Sequence, residues 1–578
     1  MSGATDKNTA KPANLLYGVN EKPPLPVVLV LGLQHVFILF ISLIFPALIV
    51  NLMGDAIDPD SARSFVSLSM IAGGIITILQ AIRFKGIGSG YLCPSVCGPS
   101  YLTASILAVK TGGLSLLFGM TAFAGVIESI LSRIMKRLRF LFPPEVMGIV
   151  VALIGIVIIP LAIDNFFGVS GTDTVTTGSE ILVAILTLIT MVAINVWGKK
   201  QLRLFSIIIG MVVGYVASFS LGIIPQESIN HLFESQWFSV PYIRNLHWSF
   251  DASLVVPFIV ATICSTIKSI GDLGTCQKIN DVNWKRLDMH TISSGILVDG
   301  FGGILPGIIG GFGQSTSSSN VGLSLATGAT SRRIAYATGG IIIFLAFFPR
   351  LSELFIIMPP PVIGATLIFA ISFMIIAGFQ MIATRMLDVR RTFVLGFAVI
   401  FGLSADLAPE LYASVPDWIQ PVFSSSLALG SVTAIVMNLI MRIGISSRSS
   451  IELSPSKHTS TDVFNFMESQ GSKWGARREV VMNAAATVNE VLESVTALDL
   501  ARSPLKVEVK FDELNFDIDI SYQGKPLQFD KKPPSPEELL ENEDALASLS
   551  GFIIRSKVDR ISSHISNDTC RIHIHFDH

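Results

Sequence analysis

Long apolar runs separated by short polar turns fill residues 1–445, whereas residues 456–578 alternate apolar and polar positions at shorter intervals. A helix that crosses a membrane needs about 20 mostly apolar residues. The runs at 27–50, 64–82, 114–132, 145–163, 180–197, 204–223, 253–271, 334–349, 361–382, 392–406 and 425–442 predict such helices. Three further apolar segments, near 91–109, 291–309 and 312–328, are interrupted by Gly, Pro and Ser. With them the chain is expected to cross the bilayer about fourteen times.

The turn charges bear on that count. Turns after every second span carry Arg83 and Lys85, then Arg133, Lys136, Arg137 and Arg139, then Lys199, Lys200 and Arg203. Lys285 and Arg286, Arg332 and Arg333, Arg385, Arg390 and Arg391, and Arg442 and Arg448 continue the series. The intervening turns are poor in cations and hold Asp55, Asp58, Asp60, Asp164, Asp173, Glu227, Glu234, Asp406, Glu410 and Asp417. Lys and Arg mark the cytoplasmic side, so both termini are expected inside the cell membrane, and the alternation fails if any interrupted segment is dropped. The expected layout is an N-terminal tail at 1–24, a transmembrane domain at 25–445, a linker at 446–475 and a cytoplasmic α/β domain at 476–578.

Composition narrows the class further. Half of the residues are hydrophobic and only 15% are charged, against about 25% in a soluble domain. A net charge of −2 gives no reason to expect a nucleic-acid partner. Five cysteines make neither a disulfide framework nor a CxxC metal pair, and Cys93 and Cys97 read first as small packing residues. The polar first 24 residues do not read as a signal peptide.

An internal repeat is visible. Residues 143–148 read Pro-Pro-Glu-Val-Met-Gly and residues 359–364 read Pro-Pro-Pro-Val-Ile-Gly, each opening a long apolar run. An odd number of spans separates them, so the two copies enter from opposite sides, as in inverted-repeat transporters. The interrupted segments Gly86–Gly98 and Gly310–Gly322 occupy matching places. Such pairs point to a midplane site, with unwound backbone buried or lining a cavity. The motif alone also fits a generic helix start, where Pro is favoured.

Ionisable groups within spans are costly and usually functional. Lys268 and Asp272 share a helix face at i and i+4, Asp299 lies in the next span, and His35 follows Gln34 in the first. Two readings fit: an ion pair that ties helices together, or a substrate or proton site. A carboxylate in a poorly hydrated cavity has a raised pKa and can exchange a proton during transport. The run Gly313 to Asn320 is too polar for lipid, and its hydroxyls and backbone suit a polar ligand. Asn320 is also placed to cap the helix that follows.

These residues resemble the nucleobase–ascorbate transporters, or nucleobase:cation symporter family 2 (xanthine/uracil permeases), over about residues 20–445. The signature Gln/Glu-Asn-x-Gly-x-x-x-x-Thr-Gly/Arg/Lys matches Ser319-Asn320-Val321-Gly322 through Thr327-Gly328. Gln34-His35, Gly271-Asp272 and Asp299-Gly300 match further motifs in the same order. The resemblance implies an all-α fold of fourteen spans in a 7+7 inverted repeat. Its core would take in about 25–140 and 252–350, and its gate about 141–225 and 358–445. It implies elevator-like movement in a homodimer, with a proton or sodium as coupling ion and no other cofactor. A small-molecule substrate such as xanthine, urate or uracil would be bound by Lys268, Ser318, Ser319, Asn320, Tyr91, Cys93, Gln34 and His35. Asp272 and Asp299 would serve coupling. Two departures bear on the ligand: the family's span-eight Glu is Lys268 here, and its Gln/Glu signature residue is Ser319, so either an anionic ligand is favoured or Lys268 pairs with Asp272 or Asp299 and replaces a coupling cation. Rival readings are a permease for a non-nucleobase anion and a membrane sensor signalling through its tail.

The tail reads as a helix at 478–497, strands at 505–511 and 515–521, a turn at Gln523-Gly524-Lys525, a Pro/Glu-rich linker at 532–543, a helix at 544–558 and a strand at 571–576. It resembles the ATP-binding fold of anti-sigma-factor and histidine-kinase ATPases. Glu490-x-x-x-Ser494 stands where that family has Glu-x-x-x-Asn, and Tyr522-Gln523-Gly524 where it has Asp-x-Gly. With Asn and Asp both replaced, the resemblance implies a degenerate module that forms dimers or receives a regulatory protein.

Overall fold

The computed structural model describes residues 12, 15–84, 86–138, 141, 143–168, 178–203, 205–244, 246–282, 284, 287–383, 387–416, 420–423, 425–441, 443, 447–454, 460–512, 515–527, 529, 543–566 and 569–577. Of the positions named above, Lys85, Arg139, Asp173, Lys285, Arg286, Arg385, Asp417, Arg442 and residues 532–542 lie outside the described residues. The chain divides into two units, Met1–Phe379 with Phe397–Ala434, and Gln380–Gly396 with Ile435–His578.

The first unit is helical. Eight helices among the described residues are long and apolar enough to span a membrane, and a ninth span results if Arg332–Leu345 and Pro349–Ile356, bent by 85° at Pro349, are taken as one. Polar caps start several of them. Asp58 accepts from the Ser61 amide at 2.9 Å ahead of Pro59–Ala81, and Asp288 accepts from the His290 amide at 3.0 Å ahead of Met289–Ile309. Proline occupies the first turn of Pro144–Val157, where its missing N–H is no loss. The first apolar run is broken at Ser42 into Leu25–Ile41 and Ile44–Met53.

Two of the three interrupted segments are broken and one is not. In the first, β1 (Ser95–Cys97) leads through a short turn into the Leu102–Leu138 helix, which kinks at Gly112 and Gly113. In the last, β2 (Gln314–Thr316) leads into Ser318–Thr327. The middle segment, expected to be interrupted, is the unbroken helix Met289–Ile309. Its Pro306 lies in the last turn, and its glycines serve packing instead of unwinding.

Glycine crossings run antiparallel in pairs. A side chain at Gly125 would meet the Ile304 amide at 2.4 Å and the Gly300 carbonyl at 2.5 Å, and one at Gly307 would meet Ala122. A side chain at Gly74 would likewise meet the Gly339 carbonyl at 2.7 Å, and one at Gly339 would meet Ile78. The two helices that open on the repeated motif also cross, with Gly378 against Gly148, Ile375 against Gly155 and Gly364 against Phe166. The falling register means that these helices run in opposite directions, as an inverted repeat requires. The N-terminal segment is pinned to the same unit, since the Leu16 and Tyr17 amides donate to the Gly328 carbonyl and Ser331 Oγ donates to the Glu21 carbonyl at 2.6 Å.

The second unit holds an antiparallel five-stranded sheet in the order β3-β4-β5-β7-β6, with β3 Ser447–Leu453, β4 Leu505–Phe511, β5 Asn515–Gln523, β6 Arg560–Ser566 and β7 Thr569–Asp577. Period-two alternation turns Val507, Val509, Phe516, Ile518, Ile572 and Ile574 into one core. Helices Ser460–Trp474 and Arg478–Ala497 contribute Met467, Val481 and Val488 to it, and Glu543–Lys557 contributes Ile554. The other face is polar, with Lys506, Glu508, Asp517, Asp519, Arg571 and His573. The segment expected as a linker, 446–475, therefore carries a strand and a helix of this sheet domain, and β6 is a strand that the alternation did not reveal.

Candidate functional site

The two short strands meet in the middle of the helical unit. β1 and β2 pair antiparallel, Ser95 opposite Thr316 and Cys97 opposite Gln314. Neither strand has a sheet to complete its backbone hydrogen bonds, and buried amides need partners. Neighbouring helices and the segments flanking the strands supply them. The Ser95 amide donates to Thr77 Oγ1 at 3.0 Å, the Cys97 amide to Ser42 Oγ at 3.2 Å, the Phe312 amide to Ser69 Oγ at 2.9 Å and the Ser317 amide to the Pro94 carbonyl at 2.9 Å. Irregular backbone is tolerated at membrane depth only when buried in protein in this way.

Around this crossing the structure gathers one charged cluster. Lys268, only 5% exposed, donates from Nζ to the Thr316 carbonyl and lies 3.4 Å from Asp272 Oδ2. The Thr316 hydroxyl donates to the same Asp272 oxygen at 2.7 Å, and Ser269 Oγ lies 3.1 Å from Thr316 Oγ1. A cation, a carboxylate and the Ser269 hydroxyl thus converge on one β2 residue, Thr316. A second contact joins the first helix to the β2 helix, His35 Nδ1 to Asn320 Oδ1 at 2.7 Å, and Asn320 Nδ2 donates to Ser317 Oγ at 2.9 Å. Gln34 Oε1 is buried with no hydrogen-bond partner.

Asp299, on the neighbouring helix, makes no ion pair of its own but interacts electrostatically with Lys268 and Asp272. Gln80 Nε2 reaches its Oδ1 at 3.4 Å, and its Oδ2 is buried without a hydrogen-bond partner. Gln80 also receives the Ser89 amide at 3.2 Å, so it fixes the loop that carries Tyr91 and Cys93 into β1. Cys93 is fully buried and Tyr91 half-buried. Ser318 is half-buried and Ser319 is exposed. The expected cap by Asn320 is corrected: Ser317 caps the helix, its Oγ accepting the Asn320 amide at 3.4 Å, because the helix begins two residues before Asn320. Free amides at this helix start present positive ends toward an anion or an electron-rich ring.

Three buried polar groups were not among the residues singled out from sequence: Gln80, Tyr101 and Glu128. Tyr101 OH donates to Glu128 Oε2 at 3.0 Å, and Thr266 Oγ1 to Glu128 Oε1 at 3.2 Å. A carboxylate inside the 114–132 run was the available signal. A cavity of about 210 Å³ opens beside the crossing, lined by Ser100, Thr103, Lys110, Pro257, Val260 and Ser425 among others. None of the sequence-predicted site residues lines it.

In the tail, Glu490 pairs with Lys557 Nζ at 3.6 Å, and Ser494 Oγ donates to the Glu490 carbonyl at 2.6 Å. Tyr522 OH donates to the Lys525 carbonyl at 3.0 Å. Each side chain at these positions thus has a partner within its own domain.

A bundle of apolar helices around two short paired strands and a buried ion pair describes a multi-pass membrane protein, and its family makes it a permease rather than an enzyme. The chain belongs to the xanthine/uracil permease family, described as "Permease family", whose model matches residues 27–411. The xanthine permease XanP of Escherichia coli is 26% identical over 444 residues, covering 74% of this chain and 95% of that one. The xanthine permease XanQ of Escherichia coli is 27% identical over 442 residues, covering 74% and 94%. The nucleobase transporter PlUacP of Paenibacillus larvae is 26% identical over 418 residues, covering 72% and 95%. Among solved structures, the likeness to the transmembrane domain of the cyanobacterium bicarbonate transporter BicA covers 73% of this chain and 99% of that one at a TM-score of 0.45 and 12% identity.

Proposed function

We propose that this permease is a secondary active transporter of a nucleobase-like substrate of the xanthine or urate type, taken in its anionic form and driven by a proton or sodium gradient. The observation that carries the reading is Lys268, a buried cation on the Val255–Asn280 helix that reaches the paired strands, in a chain whose relatives are named for xanthine and nucleobases. A cation at that depth favours an anion, and the adjoining backbone and hydroxyls match a ring bearing carbonyl and N–H groups. Lys268, Ser318, Ser319, Asn320, Tyr91, Cys93, Gln34 and His35 are the proposed substrate residues, with Asp272 and Asp299 serving coupling. The core carrying the site would slide against the gate, in an elevator movement within a homodimer. The loop charges support a cell-membrane protein with both termini cytoplasmic.

Purified protein in liposomes is expected to accumulate radiolabelled xanthine or urate when a pH or sodium gradient is imposed, and uracil more weakly. Accumulation of uracil in preference to both purines would reject the anion reading.

The sheet domain has its own core, which supports a regulatory or dimer-forming role. Its core begins at β3, so a clean truncation ends at residue 446. That truncated protein is expected to retain uptake within about threefold, because the site lies in packed core elements and not in a mobile loop. Loss of flux with retained ligand binding would favour a sensor that signals through its tail.

A further inference from the structure

The cavity of about 210 Å³ beside the crossing carries polar groups of its own. One is Lys110, an exposed cation just before the Gly112–Gly113 kink. The loop charges put that kink on the outward side, where cations are scarce. Other outward cations are engaged. Arg63 lies 2.7 Å from Asp60 and 3.5 Å from Glu353. Arg350 donates to the Ser235 and Phe233 carbonyls and lies over the Trp237 ring. Among the described residues Lys110 has no such partner, and no acidic residue lines the cavity. Ser100 lines it too, and its Oγ is buried without a hydrogen-bond partner. A buried hydroxyl left unpaired is costly unless something completes it. Ala261 contributes from the Val255–Asn280 helix, and Ser425 from just ahead of Ser426–Met441. Ala261 and Lys268 are seven apart on that unbroken helix, so they share a face about 10 Å apart along its axis. The helix begins on the outward side, so the cavity lies outward of Lys268.

We propose that this cavity is an outward waiting site, in which the anionic substrate rests against Lys110 and Ser100 before it passes to Lys268. The occupant is a single small ring. Pockets for drug-sized ligands start at about 300 Å³, and this one is smaller. Lys110 supplies the attraction, since a cleft lined by one sign of charge concentrates counter-ions and speeds their arrival. Ser100 supplies a hydrogen bond that nothing in the protein claims. Pro257, Val260 and Ala261 supply apolar walls for the ring faces. In the layout inferred above, Ser425 belongs to the gate and the other lining residues named here to the core. An anion held here therefore lies between the parts whose sliding would carry it inward. The two lysines act in series: exposed Lys110 exchanges its anion readily with solvent, and buried Lys268 holds it at the paired strands. The inference rests on the proposed reading of an anionic substrate and adds its route of entry.

The test measures uptake of radiolabelled urate by the full chain from each side of the membrane, in intact cells and in inside-out vesicles. Lys110→Glu is expected to raise KM for external urate about tenfold with the maximal rate within about twofold. The rise should shrink as salt is added, because salt screens exposed charges. From the inner side KM is expected to stay within about twofold of wild type, because steering acts only where the cation faces the ligand. Ser100→Ala is expected to raise external KM about fivefold, the scale of one lost hydrogen bond. Its thermal stability should not fall, since the hydroxyl has no partner to lose. Wild-type external KM in both variants would overturn the assignment. Equal rises from both sides would also overturn it, because they mark a structural role. So would a Lys110→Glu effect in liposomes of anionic lipid that vanishes in pure phosphatidylcholine, which marks a lipid headgroup as the occupant. If the wild type takes up neither urate nor xanthine, the anion reading falls and the waiting site with it. If the wild type takes up urate and both variants match it, only the waiting site falls.

Discussion

Lys268→Ala is expected to abolish uptake of the native substrate, by roughly a hundredfold or more, and to lower stability by about 3–5 kcal/mol, the usual penalty for breaking a buried pair from one side. The physical reason is the partner left behind. Asp272 keeps the Thr316 hydroxyl at 2.7 Å but loses its cation, and the Thr316 carbonyl loses its donor. An unpaired buried charge is far more costly than a missing pair. Lys268→Ala combined with Asp272→Asn is therefore expected to recover most of the stability, since charge leaves from both sides together. It should not recover xanthine uptake, because the cation that favours an anionic ring is gone. Thermal unfolding in detergent reads the first effect and liposome uptake the second. Lys268→Glu separates the readings further. It places a second acid beside Asp272, and should shift relative uptake from urate toward uncharged rings if Lys268 selects by charge. Native uptake unchanged in Lys268→Ala would remove Lys268 from the site.

Much of this molecule could be read from its apolar pattern, because a bilayer imposes one length on every span. The repeat was legible as well, since Pro143–Gly148 and Pro359–Gly364 open helices that cross in opposite directions. The strand pair was not. Segments of three residues, Ser95–Cys97 and Gln314–Thr316, carry no periodicity, and their backbone is completed by Thr77 and Ser42 from other spans, with Ser69 holding Phe312 just ahead of the second strand. Glycine misled in the 291–309 segment. Gly300, Gly303 and Gly307 resemble helix breakers in a sequence, yet they are what allow that helix to lie against Gly125 and Ala122. Among candidate site residues, Lys268 and Asp272 were legible from spacing alone. Glu128 meets the same criterion as Asp299, but its partners Tyr101 and Thr266 can be identified only in three dimensions. Strand β3 and the Ser460–Trp474 helix lie in a Ser-rich stretch, where weak alternation hides elements that tertiary packing holds in place.

The glycine crossings give a prediction that depends on position alone, because Gly339 and Gly340 are neighbours on one helix. A side chain at Gly339 would meet the Gly74 carbonyl at 2.6 Å and Ile78 at 2.6 Å, whereas one at Gly340 would meet nothing within 4 Å and faces outward. Gly339→Val is expected to yield little monodisperse protein. Overpacking against a flexible side chain costs about 1–3 kcal/mol, but here the obstacle is backbone, which cannot rotate away. Gly340→Val should fold and transport normally, because a lipid-facing apolar side chain is at home there and glycine in a helix is itself about 1 kcal/mol unfavourable. The inverted repeat extends the argument to the other crossing. A side chain at Gly303 would meet the Gly125 Cα at 2.6 Å, so Gly303→Val should fail as Gly339→Val does. Size-exclusion profiles of the three variants in detergent would decide it. A well-behaved Gly339→Val alongside a collapsed Gly340→Val would mean that this helix packs through its other face, and the paired crossings that define the fold would have to be redrawn.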